Sequence, residues 1–210
     1  MNEHIKIEKF IYAAPSIGKN FSYNIFRSKE YYDNKLPPVE TITREPGVPL
    51  LSQKIGSIFF SKHTPYKNGL FYHEPGTGKS CLSSFIIENF KNTIVDDNPR
   101  KPALIIVPNQ DLEKNYRKDV ADQCTKKGTY MGTFTEEEYR KIVEMEEYKD
   151  LTEAQKEGRL KKAIDKTYEI VTHAAFLTNL TKDINALKEE FSNRIIVIDE
   201  AHNFRLQTST

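Results

Sequence analysis

Apolar and polar positions change period several times along this chain, and each change marks an element. From Leu50 to Phe60 the apolar residues Leu51, Ile55, Ile58 and Phe59 recur at helical spacing, which predicts an amphipathic helix. That helix stops before His63-Thr64-Pro65, where proline forbids continuation. Short apolar runs then alternate with longer amphipathic ones. Leu70 to Tyr72 reads as a strand, and Lys79 to Phe90 as a helix with Leu82, Phe85, Ile86, Ile87 and Phe90 inward. Ala103 to Val107 is a second strand, followed by a helix from Asn109 to Val120 with Asn109 as its cap. Glu169 to Thr172 is a third, followed by a helix through Ala175, Leu177, Leu180 and Leu187. Ile195 to Ile198 is the last. Strands this apolar are buried on both faces, and their alternation with helices implies parallel strands joined by right-handed crossovers. The class is α/β, a parallel sheet flanked by helices.

Two stretches fall outside the alternation. Residues 1–49 have no sustained period and carry breakers at Pro15, Gly18, Pro37-Pro38 and Pro46-Gly47-Val48-Pro49, so they read as an irregular N-terminal extension. Its aromatics, among them Phe21, Tyr23, Phe26, Tyr31 and Tyr32, are suited to anchoring an arm onto the domain that fills residues 50–210. Residues 135–166 are dense in Glu, Lys and Arg, with capping-box openings at Thr135/Glu138 and Thr152/Gln155. They read as a charged helical insertion, most simply a solvated surface excursion.

Composition narrows the class. Eleven Tyr and twelve Phe in 210 residues argue against a disordered chain. A net charge of +1 excludes the whole-chain signature of a basic nucleic-acid binder and leaves room only for a local patch. Cys81 and Cys124 have no metal-type spacing, and Cys81 falls inside a predicted helix. A disulfide is therefore not expected, and the chain reads as intracellular. No apolar run approaches the roughly 20 residues of a membrane span. The N-terminus lacks the apolar stretch of a secretory signal.

The chemistry concentrates in two strings. His73-Glu74-Pro75-Gly76-Thr77-Gly78-Lys79-Ser80 stands between the Leu70–Tyr72 run and the Lys79–Phe90 helix. Glycines at Gly76 and Gly78 let a backbone curl its amides inward around phosphate, and the following helix adds its positive dipole end. Lys79 would reach the β- and γ-phosphates, and the Ser80 hydroxyl would ligate Mg²⁺. With Gly76 and Thr77 these residues form a cradle for nucleoside triphosphate. One position departs from the full pattern, since His73 stands where a first glycine is usual.

The second string is Arg194-Ile195-Ile196-Val197-Ile198-Asp199-Glu200-Ala201-His202. Four apolar residues deliver Asp199 and Glu200 to the C-terminal end of a buried strand, the edge where open α/β sheets bind ligands. Asp199 would hold Mg²⁺ opposite Ser80, through water, and Glu200 would orient or deprotonate the water attacking the γ-phosphate. His202 is placed to couple the nucleotide state to another domain. His4, His63, His73 and His173 have no metal-ligand spacing among them.

Gly76-Thr77-Gly78-Lys79-Ser80 and Asp199-Glu200-Ala201-His202 resemble motifs I and II of superfamily 2 helicases and translocases, whose Asp-Glu-Ala-His form this is. Ala103 to Tyr116 is similar to motif Ia, and Tyr168 to His173 to the strand before motif Ib. Gln53 lies where a glutamine of the family would read adenine. Gln53-Lys54 through Thr64-Pro65-Tyr66 to His73 looks like helicases of large nucleocytoplasmic DNA viruses, including the poxvirus early transcription factor and nucleoside triphosphate phosphohydrolase I groups. In that group a His at the first loop position is familiar.

The resemblance implies a RecA-like P-loop NTPase domain, the first of two, with Lys79, Asp199 and Glu200 catalytic and ATP and Mg²⁺ as cofactors. It implies DNA or RNA as a partner, no membrane, and a role in transcription in a virion or viral factory. A second RecA-like domain carrying an arginine finger is implied in cis or trans. Neither it nor a Ser-Ala-Thr motif III is found in these 210 residues, so the domain reads as incomplete at its C-terminus. The competing expectation is a short, non-catalytic or split subunit that binds nucleotide or nucleic acid and pairs with a separate domain. A small-molecule P-loop kinase fits poorly, because its chemistry does not need Asp-Glu-Ala-His after a late strand.

Overall fold

The computed structural model describes residues 18–34, 45–74, 76–91, 94–95, 98–126, 129–130, 152–180 and 183–204. Three strands form the central sheet: β3 (Ala103–Val107), β4 (Tyr168–Thr172) and β5 (Ile196–Ile198), in the order β4-β3-β5. Both pairings are parallel, with Ala103 opposite Tyr168 and Leu104 opposite Ile196. All five residues of β3 are buried, and this central strand lies in the middle of the core. Its apolar run has no polar alternation because helices cover both faces. The fold is α/β with a small parallel sheet, as the alternation of periods predicts.

Helices α3 (Leu51–Phe59), α4 (Lys79–Phe90) and α5 (Gln110–Asp119) match the three amphipathic segments read before β4. On one face of the sheet Ala103, Ile105 and Val107 pack with Ile87 of α4, Tyr116 of α5 and Val120. The Asn109 side chain accepts the Leu112 N–H at 3.0 Å and opens α5 as a cap. A π-turn, Val120–Cys124, prolongs α5 beyond its expected end. Helix α6 (Glu153–Ile164) opens on the Thr152/Gln155 capping box. The remainder of the charged segment, residues 135–151, lies outside the described residues.

Polar contacts fasten α4 at both ends. Ser83 Oγ lies 2.7 Å from the Tyr116 hydroxyl, which burial pushes up to a pKa of about 12. At the other end Glu88 accepts hydrogen bonds from the Tyr130 and Tyr168 hydroxyls, and Lys91 donates to Tyr130 at 3.1 Å. A further device lies beyond β4: Arg194, with its side chain 2% exposed, pairs with Glu169 and Glu190 and donates to the Pro102 carbonyl at 2.8 Å.

Several expectations need correction. Leu70–Tyr72 forms no strand and joins no sheet among the described residues; Leu70 is 89% and Tyr72 97% exposed. The outer edge of β5 is unpaired among the described residues, so this segment finds no ladder to join. Phe71 is less exposed, at 41%, with its ring 5.4 Å from Phe60. The single helix read through Ala175 to Leu187 is two, α7 (His173–Asn179) and α8 (Ile184–Phe191). Asp183 starts the second by accepting the Asn185 N–H at 2.9 Å.

The extension read as irregular carries two short helices, α1 (Phe21–Arg27) and α2 (Lys29–Tyr32). Aromatic packing holds them, with Phe21 against Phe59 and Tyr66 and Tyr31 against Phe59. A short antiparallel ladder, β1 (Ile94–Val95) with β2 (Asn98–Pro99), follows α4 and was not foreseen.

The largest correction concerns the cysteines. Cys81 and Cys124 are joined in a disulfide, with Cα atoms 4.6 Å apart. The first turn of α4 packs on the π-turn, and that tertiary contact brings together residues 43 positions apart. The cysteine argument for an intracellular setting therefore loses its support.

Candidate nucleotide site

The phosphate-type loop is shaped by two left-handed glycines, Gly76 at φ 79° and Gly78 at φ 87°. Both positions are strained for any side chain, and Gly78 has a second constraint. A Cβ there would come within 2.4 Å of Gln53 Nε2. Gly78 is also the N-cap of α4, and no side chain caps that helix. The amides of a first turn left in this way favour an anion.

Gln53 is 4% exposed, and both ends of its amide are engaged by the protein. Its Oε1 accepts the Leu50 N–H at 2.8 Å, and its Nε2 donates to the Gly78 carbonyl at 3.0 Å. The residue assigned by resemblance to reading adenine thus ties the start of α3 to the loop. His73 has a contact of its own. Thr77 donates its one hydroxyl proton to the Glu74 carbonyl at 2.7 Å, so His73 Nδ1, 3.3 Å from that hydroxyl, is the donor between the two. The larger residue at the first loop position braces the loop from within.

Lys79 and Glu200, 121 positions apart, meet with Nζ 2.8 Å from Oε1. Their hydrogen bond raises the Lys79 pKa and lowers that of Glu200. Glu200 sits in the left-handed region at φ 50°, its N–H donating to Asp199 Oδ1 at 3.1 Å. His202 Nδ1 lies 3.2 Å from the other carboxylate oxygen of Glu200. His173, at the end of β4, sets its Nε2 3.0 Å from the Asp199 carbonyl and its ring against Phe204. The turn carrying both acids is therefore held from two sides.

Ser80 stands beside the carboxylate of Asp119, the last residue of α5: burial raises the Asp119 pKa and Ser80 counters it. Asp199 acts on Lys79 through its field. Asp119 carries no motif and stands on a helix of ordinary polar composition, so nothing in the sequence singled it out.

A cavity of about 550 Å³ opens beside the loop, lined by Gln53, Gly76, Gly78, Lys79, Ser80, Cys81, Phe85, Asp119 and Gln123. Glu45, Pro46, Val48 and Leu50 form its far lip. Its size suits a nucleotide, with Lys79, Ser80 and Asp119 on the loop side and Pro46, Val48 and Leu50 beside Glu45 at the lip. Among the described residues, no cluster of three or more His, Cys, Asp and Glu has metal-binding geometry, and no helix is long and apolar enough to cross a membrane.

Comparison with known proteins points the same way. The family profile described as "Type III restriction enzyme, res subunit" matches residues 48–209. The chain is 28% identical over 195 residues to "Putative helicase 087L" of Invertebrate iridescent virus 3, covering 90% of this chain and 18% of that protein. It is 28% identical over 192 residues to "Putative ATP-dependent RNA helicase R563" of Acanthamoeba polyphaga mimivirus, covering 88% of this chain and 30% of the relative. It is 25% identical over 154 residues to "Putative helicase 009L" of Frog virus 3 (isolate Goorha), covering 73% and 14%. The chain thus spans less than a third of the length of these relatives. No solved structure matches it. The loop, the acid-bearing strand and the profile over residues 48–209 together show that the chain belongs to the type III restriction enzyme res subunit family, a helicase family, and resembles the helicases of large DNA viruses.

Proposed function

We propose that this chain is the ATP-binding part of a superfamily 2 helicase or translocase that couples ATP hydrolysis to movement on nucleic acid. The observation that carries the reading is the meeting of Lys79 and Glu200 at the end of the parallel sheet. A loop built to hold phosphate is thereby set against an acid able to position the attacking water. Gly76, Thr77, Gly78 and Lys79 hold the triphosphate, while Gln53 supports the loop and stands at the cavity wall. The oxygen donors Ser80, Asp199 and Asp119 are of the hard type that suits Mg²⁺. Mg²⁺ bound with the nucleotide supplies charge neutralisation on the phosphates. Ser80 and Asp199 are its proposed protein ligands.

A second RecA-like domain, in cis or trans, completes the site in this reading. The lining of the cavity holds no arginine among the described residues. An arginine finger contributes about 10³–10⁵ in rate in phosphoryl-transfer systems, so residues 1–210 alone bind nucleotide far better than they hydrolyse it. Residues 1–49 form an arm and 50–210 the first domain in this reading; the likeness to viral helicases supports a place inside infected cells, and a role in viral transcription is part of the proposal. The test is Lys79→Ala in the 210-residue chain, read by titration with a fluorescent ATP analogue and Mg²⁺. A dissociation constant unchanged by the substitution overturns the assignment.

A further inference from the structure

We propose that the Cys81–Cys124 disulfide is a reversible redox-modification site that sets the affinity of the loop for Mg²⁺-nucleotide. The inference rests on the nucleotide reading given above. Cys81 directly follows Ser80 and belongs to the first turn of α4, the turn whose amides face the phosphates. Its sulfur is bonded to Cys124 at the end of the π-turn. That π-turn begins immediately after Asp119, which lines the same cavity as Ser80, and its Gln123 carbonyl accepts the Gly47 N–H at 2.9 Å. Gly47 stands between Pro46 and Val48 of the cavity lining, where the two backbones approach so closely that a Cβ would meet Lys126 N at 2.5 Å. One covalent bond therefore joins the phosphate wall to the wall that carries the lip. The other side-chain links across this seam, Ser83 and Ser84 to the Tyr116 hydroxyl, are hydrogen bonds and make no covalent tie.

The two sulfurs differ in access. Cys124 is 1% exposed, whereas Cys81 is half-buried and lines the 550 Å³ cavity. A thiolate of a dithiol reductant reaches Cys81 Sγ through that cavity and forms a mixed disulfide, and Cys124 leaves as a thiolate that takes up a proton. The second thiol of the reductant then displaces Cys81, leaving two protein thiols and one oxidised reductant. In the reverse direction a small-molecule disulfide such as oxidised glutathione takes the two electrons and is released as two thiols. A nucleotide in the cavity lies across the same route.

The direction of coupling follows from preorganisation. With the bond intact, the two walls are held in register before the nucleotide arrives, so less ordering is lost on binding. Reduction frees them and weakens binding. Linkage then requires bound nucleotide to make the disulfide harder to reduce by the same factor. A tenfold coupling corresponds to about 30 mV for this two-electron couple.

The experiment uses the 210-residue chain, oxidised with glutathione disulfide or reduced with dithiothreitol, with free thiols counted in each state. A fluorescent ATP analogue with Mg²⁺ is titrated into both. Reduction is expected to raise the dissociation constant about five-fold or more. Cys124→Ser should match the reduced chain and ignore dithiothreitol, and Mg²⁺-ATP should slow the reduction of the wild-type chain. Equal affinity in both redox states overturns the coupling, as does a dithiothreitol effect that persists in Cys124→Ser. Two free thiols after oxidation overturn it as well. If Cys124→Ser does not fold, the comparison of oxidised and reduced wild-type chain still decides. A chain that binds nucleotide in neither state sinks the nucleotide reading itself, whereas equal binding in both sinks only the redox inference.

Discussion

Replacing Gln53 by Glu separates two roles that the wild-type residue does not reveal. The substitution keeps an oxygen to accept the Leu50 N–H but puts a second oxygen where Nε2 donates to the Gly78 carbonyl. Losing that hydrogen bond costs about 1 kcal/mol, and leaving two acceptors face to face adds about 1–3 kcal/mol. At a position only 4% exposed, water does little to relieve the repulsion. The sum is about 2–4 kcal/mol, shared between chain stability and loop geometry. If about 2 kcal/mol falls on nucleotide binding, the dissociation constant rises about 30-fold. Because Gln53 acts through the loop in this argument, ATP, GTP and inorganic triphosphate should all weaken by the same factor. The assay is competitive displacement of a fluorescent nucleotide by each ligand, with a urea melt to account for stability. A loss confined to ATP would show that Gln53 touches the base, and no loss at all would show that its bond to Gly78 carries nothing.

The Lys79–Glu200 pair gives a dependence on pH. The carboxyl of Glu200 is held below its ordinary value, so its contribution is complete above the unfolded-state pKa and fades as pH falls through the lower folded-state one. Lys79 is held above its ordinary value, so its share is complete below the unfolded-state pKa and fades as pH rises through the higher folded-state one. With the side chains 33% and 37% exposed, screening keeps the effect small. Urea midpoints measured from acid to neutral pH should show a step in wild type that is missing in Glu200→Gln; identical profiles would refute it. Arg194→Met should lower stability by about 1–3 kcal/mol, since the Pro102 carbonyl loses its donor while Glu169 and Glu190 remain half exposed to water. An unchanged urea midpoint would show that this arginine is ornamental to the fold.

Elements whose pattern is local were legible in the sequence. β3, β4 and β5 are short runs whose pattern marks strands, and α4 follows its glycine loop directly; the burial expected of all three holds for β3 and fails for β5, whose Ile196 and Ile198 are exposed. Asn109 and the Thr152/Gln155 box announced helix starts because capping is settled within three residues. What escaped depends on distant neighbours. Leu70–Tyr72 has strand composition, but a strand exists only with a partner, and none of the described residues provides one. The disulfide needs the approach of α4 to the π-turn, which no spacing encodes. The Ser80–Asp119 contact and the double engagement of Gln53 depend on the same seam and the same loop. Lys79 and Glu200 were assigned to one site from their motifs, and their direct pairing is a matter of side-chain reach.

The free edge of β5 bears on how the protein behaves in the test tube. Ile196 and Ile198 are 43% and 45% exposed, and the outer edge of the strand presents backbone groups that pair with no other strand among the described residues. Such an edge is a template for another extended chain. It is only three residues, about 10 Å, long, which limits the number of hydrogen bonds an intruder gains. Leu70 and Tyr72, both well exposed, offer a second apolar surface of matching kind. Solubility of the isolated chain should therefore fall steeply with concentration and rise when Ile196 or Ile198 is exchanged for lysine, a charge that natural edge strands use to refuse company.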